Sequence, residues 1–288
     1  MSDRLAVRKT YKLYVGGAFP RSESGRSYEV RSADGEFLAN ASRASRKDVR
    51  DAVVAARKAF GGWSTRTAYN RAQILYRVAE MLEGRADQFA DEVALAEGGT
   101  RDHVTATVAS AVDRWVWYAG WADKVSQIAG AANPVAGPYF NFSVPEPTGV
   151  VAIMAPQGSS LLGLVSVVAP VIVTGNTVVV VASHERPLPA ISLAEVLATS
   201  DLPGGVVNLL TGRTDELAPV LAAHMDVNAI DLTGVAVDQR TELEVAAAEN
   251  VKRVLPVPAD EPDWTDDPGT GRLLAPLEIK TVWHPVGI

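Results

Sequence analysis

The apolar positions near the amino terminus follow first a strand-like and then a helical spacing. Residues 11–15 and 27–30 predict two short strands with a turn between them. Apolar side chains in residues 49–60 then recur every three or four positions, which is typical of one face of a helix. Ser45 is a suitable N-cap for this helix, and Gly61-Gly62 predict its end.

Two longer helical patterns follow. The first covers residues 69–96 and contains Gly84, at which we expect an interruption or a bend. The second covers residues 104–128 and carries four aromatic side chains, which we interpret as helix packing rather than as a ligand site. These aromatic residues are Trp115, Trp117, Tyr118 and Trp121.

The second half of the chain alternates short apolar strands with helices. The strands are predicted at residues 150–154, 177–181, 206–210 and 229–232. The helix at residues 161–173 is apolar throughout but too short to span a bilayer, so we expect it to be buried. Strands that alternate with helices predict an α/β fold, here a Rossmann-like parallel sheet with helices on both faces.

A segment of small residues precedes this block. Residues 131–138 are rich in Ala, Gly and Pro, and they predict a linker. Residues 139–144 then alternate as an exposed strand does. Pro145 and Pro147 would confine that strand to the edge of a sheet.

A second change in composition follows the block. Residues 256–273 are rich in Pro, Asp and Gly and contain few large apolar side chains. This composition predicts a linker, called the connecting segment below. Residues 277–282 return to the pattern of a strand.

The composition is that of an ordinary folded, acidic protein. Of the 288 residues, 47% are hydrophobic and 21% are charged, and the formal net charge is -7. Nucleic acids and anionic membrane surfaces attract basic proteins, so we expect neither as a partner. Residues 1–14 are charged and contain no apolar run, so we expect no secretory signal and a cytoplasmic location.

Residues that act as thiol nucleophiles or hold metals are absent or scattered. The sequence contains no cysteine. The four histidines are separated and form no metal-binding pattern, so we expect no metal site. They are His103, His184, His224 and His284.

Five short motifs occur in an order that is typical of one family. They are Tyr14-Val15-Gly16-Gly17, Tyr118-Ala119-Gly120-Trp121-Ala122-Asp123-Lys124, Gly175-Asn176-Thr177-Val178-Val179, Leu202-Pro203-Gly204-Gly205-Val206-Val207-Asn208 and Leu232-Thr233-Gly234. With these motifs the chain, as far as about Val254, resembles the aldehyde dehydrogenase superfamily. In that family a whole catalytic domain follows, whereas here the connecting segment leads to the last strand. The resemblance therefore implies a degenerate, pseudoenzyme-like member that lacks the catalytic domain.

The resemblance also implies how the chain is organised. Residues 1–135 would form strands and helices that pack on the coenzyme-type domain, which is the Rossmann-like block at residues 149–255. Residues 136–148 and 274–288 would be strands of a small oligomerisation sheet. The connecting segment, residues 256–273, would replace the catalytic domain.

The positions that carry catalysis in the family hold unsuitable residues. The nucleophilic cysteine is missing, the oxyanion-binding asparagine falls on Gly158, and the general base falls near Val257. Glycine has no donor side chain and valine cannot accept a proton. Ser159 and Ser160 do not form the Gly-x-Ser-x-Gly motif of serine hydrolases. We therefore expect no catalytic residue in this chain.

The positions that hold the coenzyme in the family are altered as well. The two residues that bind the ribose hydroxyls fall on Val181 and His184, and we expect His184 to be a solvated loop residue. The phosphate-binding turn becomes Gly234-Val235, followed by Asp238, which would repel a pyrophosphate. We expect no cofactor, although the backbone donors of the following helix leave weak NAD or NADP binding open.

Three functions are compatible with these residues. The first is a non-catalytic subunit that assembles with an active aldehyde dehydrogenase, or with itself, through residues 139–144 and 277–282. These strands begin at Tyr139 and Leu277 and end at Val144 and Val282. The second is an NAD(P)-dependent oxidoreductase acting on aldehydes, whose site is completed by a partner. The third is a ligand-binding module that uses residues 157–160.

Overall fold

The computed structural model describes residues 9–287. Near the amino terminus, β1 (Ser27–Arg31) and β2 (Phe37–Ser42) pair in antiparallel orientation. The predicted strand at residues 11–15 is wrong, because this stretch makes only isolated bridges, among them Tyr11 to Ala41 and Tyr14 to Leu209. These bridges tie the amino-terminal stretch to two different sheets.

Five helices follow in the amino-terminal part. They are α1 (Arg46–Ser64), α2 (Ala68–Glu83), α3 (Ala86–Glu97), α4 (Arg101–Trp121) and α5 (Val125–Ala129). The predicted cap is confirmed, because the Ser45 side chain accepts hydrogen bonds from the backbone N–H groups of Lys47 and Asp48. The predicted interruption at Gly84 is confirmed too, since this residue separates α2 from α3.

The predicted ends of two helices were wrong. Helix α1 continues through Gly61-Gly62 to Ser64, because Trp63 is buried and its indole N–H donates to the Ile172 carbonyl oxygen at 2.8 Å. The pattern at residues 104–128 divides into α4 and α5. The aromatic residues of α4 pack as expected: Trp115 and Tyr118 are fully buried.

The predicted linker at residues 131–138 contains a short strand, β3 (Ala131–Asn133), and β4 (Tyr139–Pro147) follows it. The main sheet is formed by β5 (Val150–Met154), β6 (Thr177–Val181), β7 (Val207–Leu210), β8 (Ala229–Asp231) and β9 (Arg253–Val254). Its strands are all parallel and lie in the order β7-β6-β5-β8-β9. The predicted α/β fold is therefore confirmed.

Helices cover both faces of the main sheet. They include α6 (Leu162–Val173), α7 (Leu188–Ala198), α8 (Thr214–Ala222) and α9 (Val237–Ala248). Alternate residues of β5 enter different cores: Val151 and Ile153 pack on one face, and Val150, Ala152 and Met154 on the other. Every residue of α6 is buried, as its apolar sequence predicts. Within residues 9–287, no helix is long and apolar enough to cross a membrane.

The carboxy-terminal strand completes the small sheet. After α10 (Gly271–Leu274), β10 (Leu277–Pro285) pairs antiparallel with β4 along nine residues. The sheet order is β10-β4-β3, so β4 is central rather than an edge strand. Pro145 and Pro147 nevertheless lie where β4 has only β10 beside it, because β3 pairs with residues 141–143 alone. Pro145 and Pro147 therefore break no hydrogen bonds between β4 and β3.

Candidate ligand crevice

The carboxyl ends of the main-sheet strands open into a crevice of about 680 Å³. Its lining comes from the turns after β5, β6, β7 and β8 and from the connecting segment. Ligands of open parallel sheets bind at this edge. The crevice is therefore the place to examine each predicted site residue.

The turn after β5 is held by its own side chains. The Gln157 side-chain amide donates to the Ala155 carbonyl oxygen at 2.8 Å, and its Oε1 accepts from the backbone N–H of His184 at 3.0 Å. The Ser183 hydroxyl donates to the Gln157 carbonyl oxygen at 3.0 Å. Gln157 thus joins the turns after β5 and β6 through its side-chain amide.

The two serines of this turn have structural partners. Ser159 Oγ accepts from the backbone N–H of Gly163 at 2.9 Å, in the first turn of α6. Ser160 is buried, and its backbone N–H and hydroxyl both donate to Oε1 of Glu97. Neither hydroxyl contacts a histidine within the described part of the chain. The geometry therefore offers neither serine the histidine of a serine-hydrolase triad.

The two residues at the positions that bind the ribose hydroxyls in the family differ in exposure. Val181 is fully buried in the core that includes α1 and α8, so its side chain does not reach the crevice. His184 is half-buried, and its ring stacks on Tyr28 with centroids 4.7 Å apart. The expectation of a solvated loop histidine was wrong, because β1 places an aromatic ring over the imidazole.

Gly234 is kept by backbone packing. Its N–H donates to the Met154 carbonyl oxygen at 2.8 Å. A Cβ at this position would lie 1.9 Å from the Ala155 carbonyl oxygen, so no larger residue fits without moving the backbone. Val235 is buried beside it. Backbone packing alone therefore accounts for a glycine at this position, whether or not a phosphate binds there.

The connecting segment occupies the side of the crevice next to Gly158. A Cβ added at Gly158 would lie 3.2 Å from Oε2 of Glu261. Oε1 of Glu261 accepts from the Trp264 indole N–H at 2.8 Å. Val257, which holds the family's general-base position, is half-buried and packs against the core. A carboxylate of the connecting segment therefore faces Gly158.

A buried ion pair anchors the same segment. Asp231 ends β8 and is 1% exposed, and its Oδ2 accepts from Nη1 of Arg272 at 2.8 Å. Oδ1 of Asp231 accepts from the backbone N–H and hydroxyl of Thr233. The Arg272 guanidinium also lies over the Trp264 ring, 5.2 Å from its centroid. The connecting segment is consequently anchored to the core by Trp264, Leu273 and Arg272, while most of its residues are exposed.

Sequence reasoning missed these anchoring residues. Asp231 carried a signal, because it is the one charged residue in an otherwise apolar strand and would need a cation. Arg272 and Trp264 carried none, since a single arginine or tryptophan among Pro, Asp and Gly is also typical of a solvated linker.

The side chains of the crevice do not fit a dinucleotide as the family would hold it. The side chains of Val181 and Val235 offer no hydrogen bond and are buried. Asp238 lies in the first turn of α9, and Glu261 lies against Gly158, which holds the family's oxyanion position. The residues that the structure describes contain no cluster of His, Cys, Asp or Glu that could hold a metal ion.

The five-stranded parallel sheet, its crevice and the projecting small sheet define a Rossmann-type α/β protein. The model of the aldehyde dehydrogenase family matches residues 19–256, and the chain belongs to this family. The resemblance seen in the five motifs is thereby confirmed.

Known relatives match this chain over part of their length. The 2-hydroxymuconic semialdehyde dehydrogenase of Pseudomonas sp. (strain CF600) is 36% identical over 258 residues, which cover 85% of this chain and 51% of that protein. An aldehyde dehydrogenase of Alternaria alternata is 33% identical over 245 residues, 84% of this chain and 49% of that protein. The NAD+ complex of an aldehyde dehydrogenase from Bacillus cereus has a TM-score of 0.80 and 27% identity, covering 85% of this chain and 50% of that one. The chain spans about half the length of these relatives.

Proposed function

We propose that this chain is a non-catalytic aldehyde dehydrogenase-like subunit that assembles with an active aldehyde dehydrogenase through β4 and β10. The observation that carries the proposal is the set of exposed apolar side chains on the small sheet. Ile279 and Trp283 are more than half exposed on one face, Phe140 is more than half exposed on the other, and β10 forms one edge. An edge strand can pair with a strand of another chain, and exposed aromatic residues are typical anchors of interfaces.

The state of the crevice supports a non-catalytic role. The sequence has no cysteine to attack a carbonyl carbon. The Gly158 position offers no side-chain donor to an oxyanion, and the Glu261 carboxylate lies beside it. Loss of one oxyanion donor costs roughly two to three orders of magnitude in rate, and here the nucleophile is absent as well.

Co-expression with full-length aldehyde dehydrogenases of the same organism, followed by native mass spectrometry, tests the assembly. We expect a mixed species in which one partner is a full-length enzyme. Trp283→Ala should weaken that species about tenfold or more, because a central aromatic anchor contributes roughly 2 kcal/mol or more. Tyr69→Ala is the matched control, since Tyr69 is an exposed aromatic residue on α2. A chain found only alone or paired with itself would rule the proposal out.

A second candidate is an NAD(P)-dependent oxidoreductase whose site a partner completes. It is favoured by the 680 Å³ crevice itself and by α9, whose first backbone N–H groups have no side-chain cap. Calorimetric titration with NAD and NADP at millimolar concentration separates the two candidates. We expect no binding to the chain alone and, in the mixed species, no more than one coenzyme for each full-length subunit. Saturable binding by the chain alone, or more than one coenzyme for each full-length subunit, would favour the oxidoreductase, and a full-length relative provides the positive control.

A further inference from the structure

A separate cavity lies behind the connecting segment, between α4 and α6. Its volume is about 210 Å³. The helices contribute Arg114, Tyr118 and Ser166, and the connecting segment closes the cavity with Trp264 and Arg272. At about 30 Å³ for each water-sized group, the cavity has room for roughly seven heavy atoms.

Two hydroxyl groups of this cavity are buried without a partner. Tyr118 is fully buried and Ser166 is 1% exposed, yet neither the Tyr118 hydroxyl nor Ser166 Oγ has a hydrogen bond of acceptable geometry. A buried polar group without a partner costs about 1–3 kcal/mol. Both residues line the cavity, so a small molecule bound there would lie close to two hydroxyls that have no protein partner.

The positive charge of the cavity is only partly neutralised. Arg114 is buried, and its Nη2 donates to two backbone carbonyl oxygens, those of Trp264 at 2.7 Å and Asp266 at 3.0 Å. Within residues 9–287, no carboxylate lies within ion-pair distance of this guanidinium. Buried charges are usually paired with an opposite charge. Arg114 thus provides a cation for an anionic ligand.

Three aspartates of the connecting segment also line the cavity, and two of them accept hydrogen bonds within that segment. Oδ1 of Asp263 accepts from the backbone N–H and hydroxyl of Thr265, and Oδ1 of Asp267 accepts from the backbone N–H of Gly269. Asp263, Asp266 and Asp267 are all exposed to solvent, which screens their charge. Arg272 is paired with Asp231. Arg114 is therefore a buried cation whose hydrogen-bond acceptors are backbone carbonyl oxygens.

We propose that this cavity binds a small aliphatic carboxylate. The carboxylate would accept hydrogen bonds from the Arg114 guanidinium, the Tyr118 hydroxyl and Ser166 Oγ, while its short apolar chain would lie against Pro262, Pro268 and the Trp264 ring, which line the same cavity. Burial raises the pKa of Tyr118 to about 12, against the opposing effect of Arg114 and Arg272, so the phenol keeps its proton for donation. The proposal concerns a cavity other than the crevice and does not depend on the proposed assembly.

Isothermal titration calorimetry on the full chain, at constant ionic strength and neutral pH, tests the proposal. The probes are sodium acetate, propionate, butyrate and octanoate, with propionamide as the neutral match and sulfate as the inorganic anion. We expect binding that strengthens from acetate to butyrate and is lost with octanoate, which exceeds the cavity. Propionamide and sulfate should each bind at least about tenfold more weakly than propionate, because one lacks the charge and the other the apolar chain.

Two variants test the residues. Tyr118→Phe and Ser166→Ala each remove a hydroxyl that has no protein partner, so we expect the free energy of unfolding to stay the same or rise. Each should weaken butyrate binding about tenfold, because a hydrogen bond to a charged group is lost. Tyr69→Phe, which alters an exposed tyrosine, is the control. The proposal is overturned if no carboxylate binds, if propionamide or sulfate binds as well as propionate, or if both variants bind butyrate as the native chain does.

Discussion

Replacing Arg272 with methionine should lower the free energy of unfolding by about 3–5 kcal/mol, because the substitution leaves the Asp231 carboxylate buried without its cation. Asp231 is 1% exposed, so water cannot replace the guanidinium without opening the connecting segment. The methionine keeps most of the apolar contact of the arginine stem, which isolates the effect of the lost charge. Equilibrium urea unfolding of both chains measures the difference.

Two further variants make the interpretation specific. Arg213 forms an exposed pair with Asp215, so Arg213→Met should leave the free energy of unfolding nearly unchanged. Adding Asp231→Asn to Arg272→Met should recover part of the loss, since the amide removes the buried charge and keeps an acceptor for Thr233. If Arg272→Met were as mild as Arg213→Met, the connecting segment would not be anchored by this ion pair.

Replacing Trp264 with alanine should have an effect of similar size, about 3–5 kcal/mol, because it removes a large buried side chain. The loss should appear first as local opening, since Trp264 belongs to the connecting segment and contacts Arg272 and Glu261 there. Hydrogen exchange measured by mass spectrometry should show faster exchange throughout residues 256–273. The exchange of β5 and β6 should change little.

Trp283→Ala is the matched control for this prediction. Trp283 is 58% exposed in β10, so its removal should change the free energy of unfolding by about 0.5 kcal/mol or less. Equal exchange in the connecting segment of the native and Trp264→Ala chains would contradict the structure, because it would mean that the segment is not packed on the core.

Much of the main sheet could be predicted because its signal is local. The strands β5 and β6 are unbroken runs of buried apolar residues, and their structural bounds coincide with the predicted ones. The small polar and apolar residues of β2 have no such pattern, and this strand was missed because its pairing with β1 stabilises it. Helix α1 likewise passes through Gly61-Gly62 because burial of Trp63 outweighs local propensity.

The crevice shows where local patterns stop being informative. The absence of family side chains at Gly158, Val181 and Val235 could be read from the sequence. The contacts that replace them join residues that are far apart, such as Arg272 with Asp231 and Arg114 with Trp264. Composition alone does not distinguish a packed segment of Pro, Asp and Gly from a solvated one, because the difference lies in those distant contacts.

The pairing of β4 with β10 has a consequence for the order in which the molecule is built. Leu277 pairs with Pro147 and Pro285 with Tyr139, so this ladder joins residues 130 to 146 positions apart, and contacts so distant in sequence are slow to form. During synthesis β4 emerges well before β10, and until then its hydrogen-bonding groups on that side are open to a strand of another chain. Exchange of β10 between two growing chains would join them without any new contact surface, so the timing of translation can influence which chains become partners.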